Sequence, residues 1–266
     1  PGALVGGLLG GVAGVVVAVA MALLTAHMLA ALRPPQIMRM QGAVPLPAWR
    51  APGLYRTIRK LAGNAGLAAT PDLYLLPGGV PNAFAAGRGD DAAIALSRGL
   101  VDALDERELR GVLAHEVSHL RAGDTDVMRF AGALVHTTRT VGQVGLVMCV
   151  IAALLGQVVP VVLPLLFFAA PSLAMGLQLW LSRRREFAAD AAAVGLTNDA
   201  YGLASALVRL DRWRSRLRYL GYALGTPPSW LSTHPPTRER LERLEALQPE
   251  AFLPSPPPRA IWHWAL

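Results

Sequence analysis

The chain has 266 residues, of which 53% are hydrophobic and 16% are charged, and its formal net charge is +7. Soluble globular domains carry about 25% charged residues, so this composition indicates a membrane protein. The arginines flank apolar runs and form no basic face with interleaved aromatic residues, so we expect lipid contact and no nucleic-acid partner.

Residues 1–32 contain no Asp, Glu, Lys or Arg. Because about 20 apolar residues suffice to cross a bilayer as a helix, we predict a transmembrane helix over 1–32. A signal peptide is the alternative, but the run has no basic n-region and exceeds the usual apolar core of about 7–15 residues. Basic residues follow the run, and the positive-inside rule therefore predicts that the next segment faces the cytoplasm.

The segment 33–139 has the composition of a folded domain with short regular elements. Residues 54–63 are predicted to form a helix, and three short strands are expected over 72–76, 82–86 and 92–96, separated by glycine-rich turns. Asp105 followed by Glu108 predicts a capping box that starts a helix, and Gly123 predicts its end.

This last helix carries the segment His115-Glu116-Val117-Ser118-His119. Two histidines four residues apart share one helical face and can bind one metal ion, while the intervening glutamate can act as a general base. Alone, the pattern is equally compatible with a solvated or buried histidine pair. A third ligand is needed, and Cys149, the only cysteine, excludes a multi-thiolate site.

Residues 140–182 again contain no formal charge. One helix of this length would be about twice as long as the hydrocarbon core is thick, so two crossings joined by a turn fit better. We predict a transmembrane helical hairpin over 140–182. Three arginines, Arg183, Arg184 and Arg185, then mark a second cytoplasmic boundary.

Glu186 is the candidate third ligand, and it lies roughly 7.5 Å beyond the end of the returning span if the helix continues. Asp190 shares its helical face and can hold a ligand histidine by a hydrogen bond. The alternative is a surface carboxylate pair beside three arginines. With the histidine motif, we expect one Zn²⁺ per chain, bound by His115, His119 and Glu186.

After the hairpin, the segment 183–247 is predicted to complete the domain that 33–139 begins. It includes a helix rich in Arg and Glu over 237–247, which ends before Pro249. The final segment, 248–266, is proline-rich and is expected to be extended.

Four motifs in this order, with an apolar hairpin between the second and third, resemble the HtpX-like membrane zinc metallopeptidases, which are kin of the prenyl-protein processing peptidases. The resemblance covers the chain from about Tyr55 to Leu244. The motifs are Pro81-Asn82-Ala83-Phe84-Ala85-Ala86-Gly87, then Leu113 to His119 with Gly123-Asp124, then Glu186 to Asp190, then His234-Pro235-Pro236-Thr237 with Arg240.

The resemblance implies a mainly α-helical fold with a small β-sheet. It would be a gluzincin-type catalytic domain, formed by 33–139 and 183–247, interrupted by the hairpin and preceded by the N-terminal span. It implies His115, His119 and Glu186 as zinc ligands and Asp190 as the residue behind a ligand. It also suggests that His234, as a catalytic residue, or Arg240 lies near the cleft, although His234 also suits a helix-entry turn.

The resemblance further implies endopeptidase activity in membrane-protein quality control. In peptide hydrolysis, Glu116 would take the proton of the attacking water and pass it to the leaving amine. An extended substrate would pair with the strand at Asn82, Ala83 and Phe84. We therefore expect a multi-pass inner-membrane enzyme that faces the cytoplasm and cleaves misfolded or membrane proteins.

Two other functions are compatible with the same residues. A prenyl-peptide processing protease would use the same chemistry on another substrate. A non-catalytic zinc-binding membrane sensor or scaffold would not need Glu116 beside the metal.

Overall fold

The computed structural model describes residues 33–219 and 235–252, together with Ala20 and Leu24. The transmembrane helix predicted over 1–32 falls outside the described residues, apart from those two positions. His234 and most of the proline-rich segment also fall outside them.

The described part is mainly helical and contains one small mixed sheet. The chain starts with helix α1 (Pro34–Met40), strand β1 (Val44–Pro45) and helix α2 (Pro52–Ala65). Three strands follow, β2 (Asp72–Leu76), β3 (Ala83–Ala86) and β4 (Ala93–Ser97). The predicted strands are therefore confirmed to within one residue, while α1 and β1 were not predicted.

The sheet has the order β1-β2-β4-β3. Its central pair, β2 and β4, is parallel, and the outer strands β1 and β3 run antiparallel to their neighbours. Strand β4 is buried along its whole length because it lies between two strands and beneath helices. Strand β3 is an edge of the described sheet and packs against the histidine-bearing helix, which places a strand edge beside the candidate site.

The remaining helices form the larger part of the fold. They are α3 (Arg98–Ala103), α4 (Glu106–Ala122), α5 (Asp124–Leu154), α6 (Val162–Thr197), α7 (Ala200–Tyr219) and α8 (Thr237–Leu247). Helix α4 lies at the centre and contacts α2, α6, α7 and strand β3. The core shared by these elements includes Leu113, Val117 and Leu203, each at most 2% exposed.

Helix α4 has the boundaries that local signals predict. Asp105 accepts a hydrogen bond from the backbone N–H of Glu108 at 2.9 Å, and the Glu108 carboxylate accepts one from the N–H of Asp105 at 3.0 Å. The helix ends at Gly123, whose φ of 67° lies in the left-handed region that glycine adopts without strain. The predicted capping box and helix end are therefore both confirmed.

Helices α5 and α6 pack against each other as an antiparallel pair, which we call the apolar hairpin. Both are long and apolar enough to cross a membrane, and little of their most apolar windows is buried in the protein. The turn between them contains Gly156 and Pro160. Neither helix is interrupted at the predicted hairpin limits, 140 and 182, so each apolar helix continues directly into the part that packs on α4.

Candidate active site

Helix α4 presents His115 and His119 one turn apart on the same face. The opposite face is fixed in the core, because Leu113, Ala114 and Val117 are completely buried. His115 is 5% exposed and the side chain of His119 is 14% exposed. The histidine pair therefore lies in a mostly buried cleft and not on a solvated surface.

Helix α6 brings Glu186 against both histidines. The Nε2 atoms of His115 and His119 are 3.1 Å apart. One oxygen of Glu186 lies 3.4 Å from His115 Nε2, and its other oxygen lies 3.4 Å from His119 Nε2. Since one ligand atom from each residue lies within 4.8 Å of the others, the three side chains can share one metal ion.

A carboxylate and an arginine support His115 from behind. His115 Nδ1 lies 3.0 Å from Asp190 Oδ1. Arg240, on α8, donates from Nε to Asp190 Oδ2 at 2.7 Å and from Nη2 to Asp190 Oδ1 at 2.5 Å. Its Nη1 atom also lies 3.6 Å from Glu186. Because a carboxylate accepts the Nδ1 proton, the Nε2 lone pair of His115 is left for a metal.

His119 is supported in the same way, by a carboxylate at its Nδ1 atom. Its Nδ1 atom lies 2.8 Å from Oδ2 of Asp124, the first residue of α5. Asp124 in turn accepts a hydrogen bond from Arg185, which precedes Glu186 on α6. Both histidines are thus the first members of His–Asp–Arg series, and both series leave Nε2 directed at the shared position.

The pKa values in the cleft reflect this concentration of carboxylates. Burial lowers the pKa of His119, but hydrogen bonds with Asp124 and Glu186 outweigh it and raise the pKa to about 10. For His115, burial is likewise outweighed by Asp190 and Glu186, and the pKa is raised. Burial raises the pKa of Asp190, but Arg240 outweighs burial and the pKa is lowered. The cleft therefore favours positive charge, which a divalent cation can supply in place of protons.

Glu116 follows His115 on α4 and is also buried, at 9% exposure. Its carboxylate is close enough to raise the pKa values of His119 and Arg240 by its charge. A carboxylate in this position can exchange a proton with a water molecule between the histidines and itself. The donor set and the adjacent base thus have the composition of a hydrolytic metal site.

The structure brings together five residues singled out from the sequence, namely His115, His119, Glu186, Asp190 and Arg240. It places Asn82 immediately before β3 and Ala83 and Phe84 at its first two positions, in the edge strand that packs on α4. From the sequence, Asp124 is only part of a shared motif and Arg185 only marks the cytoplasmic boundary; neither is predicted to support a histidine. An acidic residue just after a helix stop also suits the first turn of the next helix, so no local signal separated the two roles.

Comparisons with known proteins agree with this geometry. The model of peptidase family M48 matches residues 48–248. A protease HtpX homolog of Kineococcus radiotolerans is 36% identical over 232 residues, covering 79% of this chain and 78% of the relative. A protease HtpX homolog of Acidiphilium cryptum is 37% identical over 232 residues and covers 78% of each chain.

The fold also resembles the crystal structure of S. mikatae Ste24p, with a TM-score of 0.58 and 21% sequence identity. The likeness covers 87% of this chain, which spans 58% of that chain. The family match contains the histidine pair, Glu186 and Arg240, and two of its helices suit a bilayer. The chain therefore belongs to peptidase family M48 and is a membrane metallopeptidase related to HtpX.

Proposed function

We propose that the protein is a zinc-dependent endopeptidase that cleaves misfolded or membrane proteins at the cytoplasmic surface of the inner membrane. One observation carries the proposal: two imidazole Nε2 atoms and the Glu186 carboxylate converge beside Glu116, at the base of the apolar hairpin. This combination supports hydrolysis close to a membrane.

The donor set fits zinc. Catalytic zinc in proteins typically has three protein ligands and one open position, and two histidines with a glutamate form one of the common sets. The carboxylates behind both histidines fix the ring orientation that such a site needs. We therefore assign His115, His119 and Glu186 as the ligands of one Zn²⁺ per chain.

Each remaining residue has a role in hydrolysis. Bound zinc would lower the pKa of a water ligand and polarise the scissile carbonyl. Glu116 accepts the water proton and returns it to the leaving amine. Asp190 holds the His115 ring, while Arg240 holds Asp190 and lies 3.6 Å from Glu186. Arg240 thereby lowers the pKa of Asp190 and keeps that carboxylate ionised in a buried environment.

Strand β3 is the proposed substrate platform. Ser97 N–H donates to the Asn82 carbonyl at 2.8 Å, so the alternation of an antiparallel ladder directs the backbone N–H groups of Ala83 and Ala85 outward. An extended peptide could pair with these groups. The Asn82 side-chain oxygen, just before this strand, is buried and has no hydrogen-bond partner among the described residues.

The substrate platform can be tested with Ala85→Pro. Proline removes one outward N–H and is tolerated on edge strands at such positions. Loss of one hydrogen bond should lower cleavage of an extended peptide about fivefold without a matching loss of thermal stability. Unchanged cleavage would contradict this substrate pose.

The orientation rests on charge. Arg183, Arg184 and Arg185 follow the uncharged part of α6, and the domain that holds the metal site lies on their side of the hairpin. By the positive-inside rule, that side is cytoplasmic. Digestion of inside-out and right-side-out membrane vesicles by an added protease distinguishes the orientations, since the domain should be cut only in inside-out vesicles.

The central experiment combines metal analysis with catalysis. The purified full chain should contain one zinc per molecule, and it should cleave an unfolded model protein in a chelator-sensitive way. Glu116→Gln should keep the zinc and lose the cleavage. Retained zinc with no cleavage by the unaltered protein would instead favour a sensor or scaffold, and cleavage confined to prenylated peptides would favour a processing protease.

A further inference from the structure

Asp124 is a buried carboxylate that connects a proposed metal ligand to the apolar hairpin. It is 3% exposed, and its two oxygens have different partners. Oδ2 lies 2.8 Å from Nδ1 of His119, whereas Oδ1 accepts a hydrogen bond from Arg185. A buried carboxylate is costly unless it is paired, so this arrangement depends on both neighbours.

The backbone fixes where Asp124 lies. The left-handed conformation of Gly123 separates α4 from α5, and Asp124 lies against His119, five residues earlier. The next residue, Thr125, donates from its hydroxyl to the Gly87 carbonyl at 3.1 Å. The start of α5 is therefore anchored to the segment after β3 as well as to α6.

We propose that Asp124 is a positioning residue for His119 and that Arg185 acts through Asp124. By accepting the Nδ1 proton, Asp124 selects the tautomer in which Nε2 is free, and it holds the ring plane toward Glu186. The inference rests on the proposed metal site, in which His119 is a ligand. It adds a second His–Asp–Arg series to the one formed by His115, Asp190 and Arg240.

This second series joins the metal site to both helices of the apolar hairpin. Asp124 is the first residue of α5, and Arg185 lies on α6 one residue before Glu186. A change in the spacing of α5 and α6 at this end therefore acts directly on the carboxylate that orients His119. The hairpin serves both as a membrane anchor and as part of the support of the metal site.

The test measures metal affinity of the full chain in detergent, using Zn²⁺ in competition with a fluorescent chelator. Asp124→Ala is expected to weaken Zn²⁺ binding about tenfold, within the range for other residues that orient ligand histidines. Asp124→Asn should lose less, because its amide oxygen still accepts the Nδ1 proton. With Co²⁺ in place of Zn²⁺, the visible absorption band should shift in Asp124→Ala and stay closer to wild type in Asp124→Asn.

Arg185→Gln supplies a test that does not alter Asp124. It should weaken Zn²⁺ binding, and its effect should largely vanish in the Asp124→Ala background, since Arg185 acts through Asp124. If the losses of Zn²⁺ affinity from Arg185→Gln and Asp124→Ala add in the double variant, Arg185 does not act through Asp124. If Asp124→Ala fails to fold, Asp124→Asn and Arg185→Gln still decide the matter.

Asp126→Asn is the matched control. Asp126 lies two residues further along α5, is exposed, and lies 3.9 Å from Arg129, so its loss should leave Zn²⁺ affinity and the Co²⁺ band unchanged. A folded Asp124→Ala protein with wild-type affinity and an unshifted band would refute the positioning role. A wild-type chain that binds no stoichiometric Zn²⁺ would instead refute the proposed metal site.

Discussion

The carboxylate behind His115 belongs to the protein interior, whereas the carboxylate behind His119 belongs to the base of the apolar hairpin. Asp190 is held by Arg240 through two hydrogen bonds, and the Arg240 side chain is 5% exposed. Asp124 is held by Arg185, whose side chain is 29% exposed. The same two residue types, Asp and Arg, therefore support the two histidines in different surroundings.

This difference in exposure indicates that the Asp190–Arg240 pair is part of the folded core, whereas the Asp124–Arg185 pair can respond to the membrane. Charges that are fully buried interact strongly and tolerate no loss of a partner, whereas partly exposed arginines can be replaced by water. We call Asp190 and Arg240 the His115 side, and Asp124 and Arg185 the His119 side. We expect substitutions on the His115 side to lower the stability of the fold most. Substitutions on the His119 side should change metal affinity with less effect on the fold.

Arg240→Ala should have the largest effect. Removal of this side chain leaves Asp190 and Glu186 as buried carboxylates without their arginine, which typically costs about 3–5 kcal/mol. Thermal unfolding of the detergent-solubilised protein should shift down by about 10 °C. Arg238→Ala is the control on the same helix, because Arg238 pairs with Glu242 at 2.9 Å on the surface and should cost less than about 1 kcal/mol.

Zn²⁺ affinity should be lowered more by the loss of Asp190 than by the loss of Asp124. Asp190→Ala is expected to weaken Zn²⁺ binding about a hundredfold, and Asp124→Ala about tenfold, within the usual range for residues that support ligand histidines. The reason is that loss of Asp190 also leaves Arg240 buried beside Glu186 without its main partner. Chelator competition on both variants measures this, and equal losses would remove the proposed distinction.

The sequence predicted the His115 side better than the His119 side, and the reason is physical. Helix α4 is defined by local signals at Asp105 and Gly123, and Glu186 and Asp190 are recognisable because they are four residues apart. Asp124 and Arg185 become partners only when two antiparallel helices meet, which no local spacing reports. The sequence also did not reveal that α5 is one continuous helix from Asp124, because the charged residues in 124–139 resemble those of a soluble domain.

Gly142→Ala tests the hairpin that carries the His119 side. A Cβ atom at Gly142 would lie 2.5 Å from the Phe167 carbonyl oxygen and 2.8 Å from Pro171 Cγ, so α5 and α6 must separate. We expect a loss of about 1–3 kcal/mol, measured by thermal unfolding in detergent. Zn²⁺ affinity should change less than about threefold, because about 27 Å of helix separates Gly142 from Asp124.

The matched control for the hairpin is Gly176→Ala. Among the described residues, nothing beyond the adjoining backbone of the same helix lies within 4 Å of a Cβ atom at Gly176, and alanine is favoured over glycine inside helices by up to about 1 kcal/mol. This variant should be neutral or slightly stabilised. Equal destabilisation of both variants would show that close packing at Gly142 does not hold the hairpin together.

The smallest effect is expected at Asp199, which pairs with two partly exposed arginines, Arg107 and Arg110, and has no part in the proposed metal site. Asp199 accepts two hydrogen bonds from Arg107, both at 2.7 Å, and one from the N–H of Gly202 at 3.0 Å. These bonds, led by that with Arg107, hold its pKa below the usual value. Because Arg107 is half exposed, Asp199→Asn should cost only about 1 kcal/mol at pH 7.

The sign of the pH dependence follows from the lowered pKa. Ionised Asp199 stabilises the fold fully above its unfolded pKa of about 3.9, and this contribution is lost as pH falls through the lower folded value. The difference in thermal unfolding between wild type and Asp199→Asn, measured in chelator, should therefore shrink below about pH 4. Asp102→Asn, at an exposed pair 3.6 Å from Arg98, should show almost no difference at either pH. If the difference in thermal unfolding between wild type and Asp199→Asn persists in acid, Asp199 stabilises the fold as a neutral helix cap. Its charge would then contribute nothing to stability, unlike the charges of the buried pairs around the two histidines.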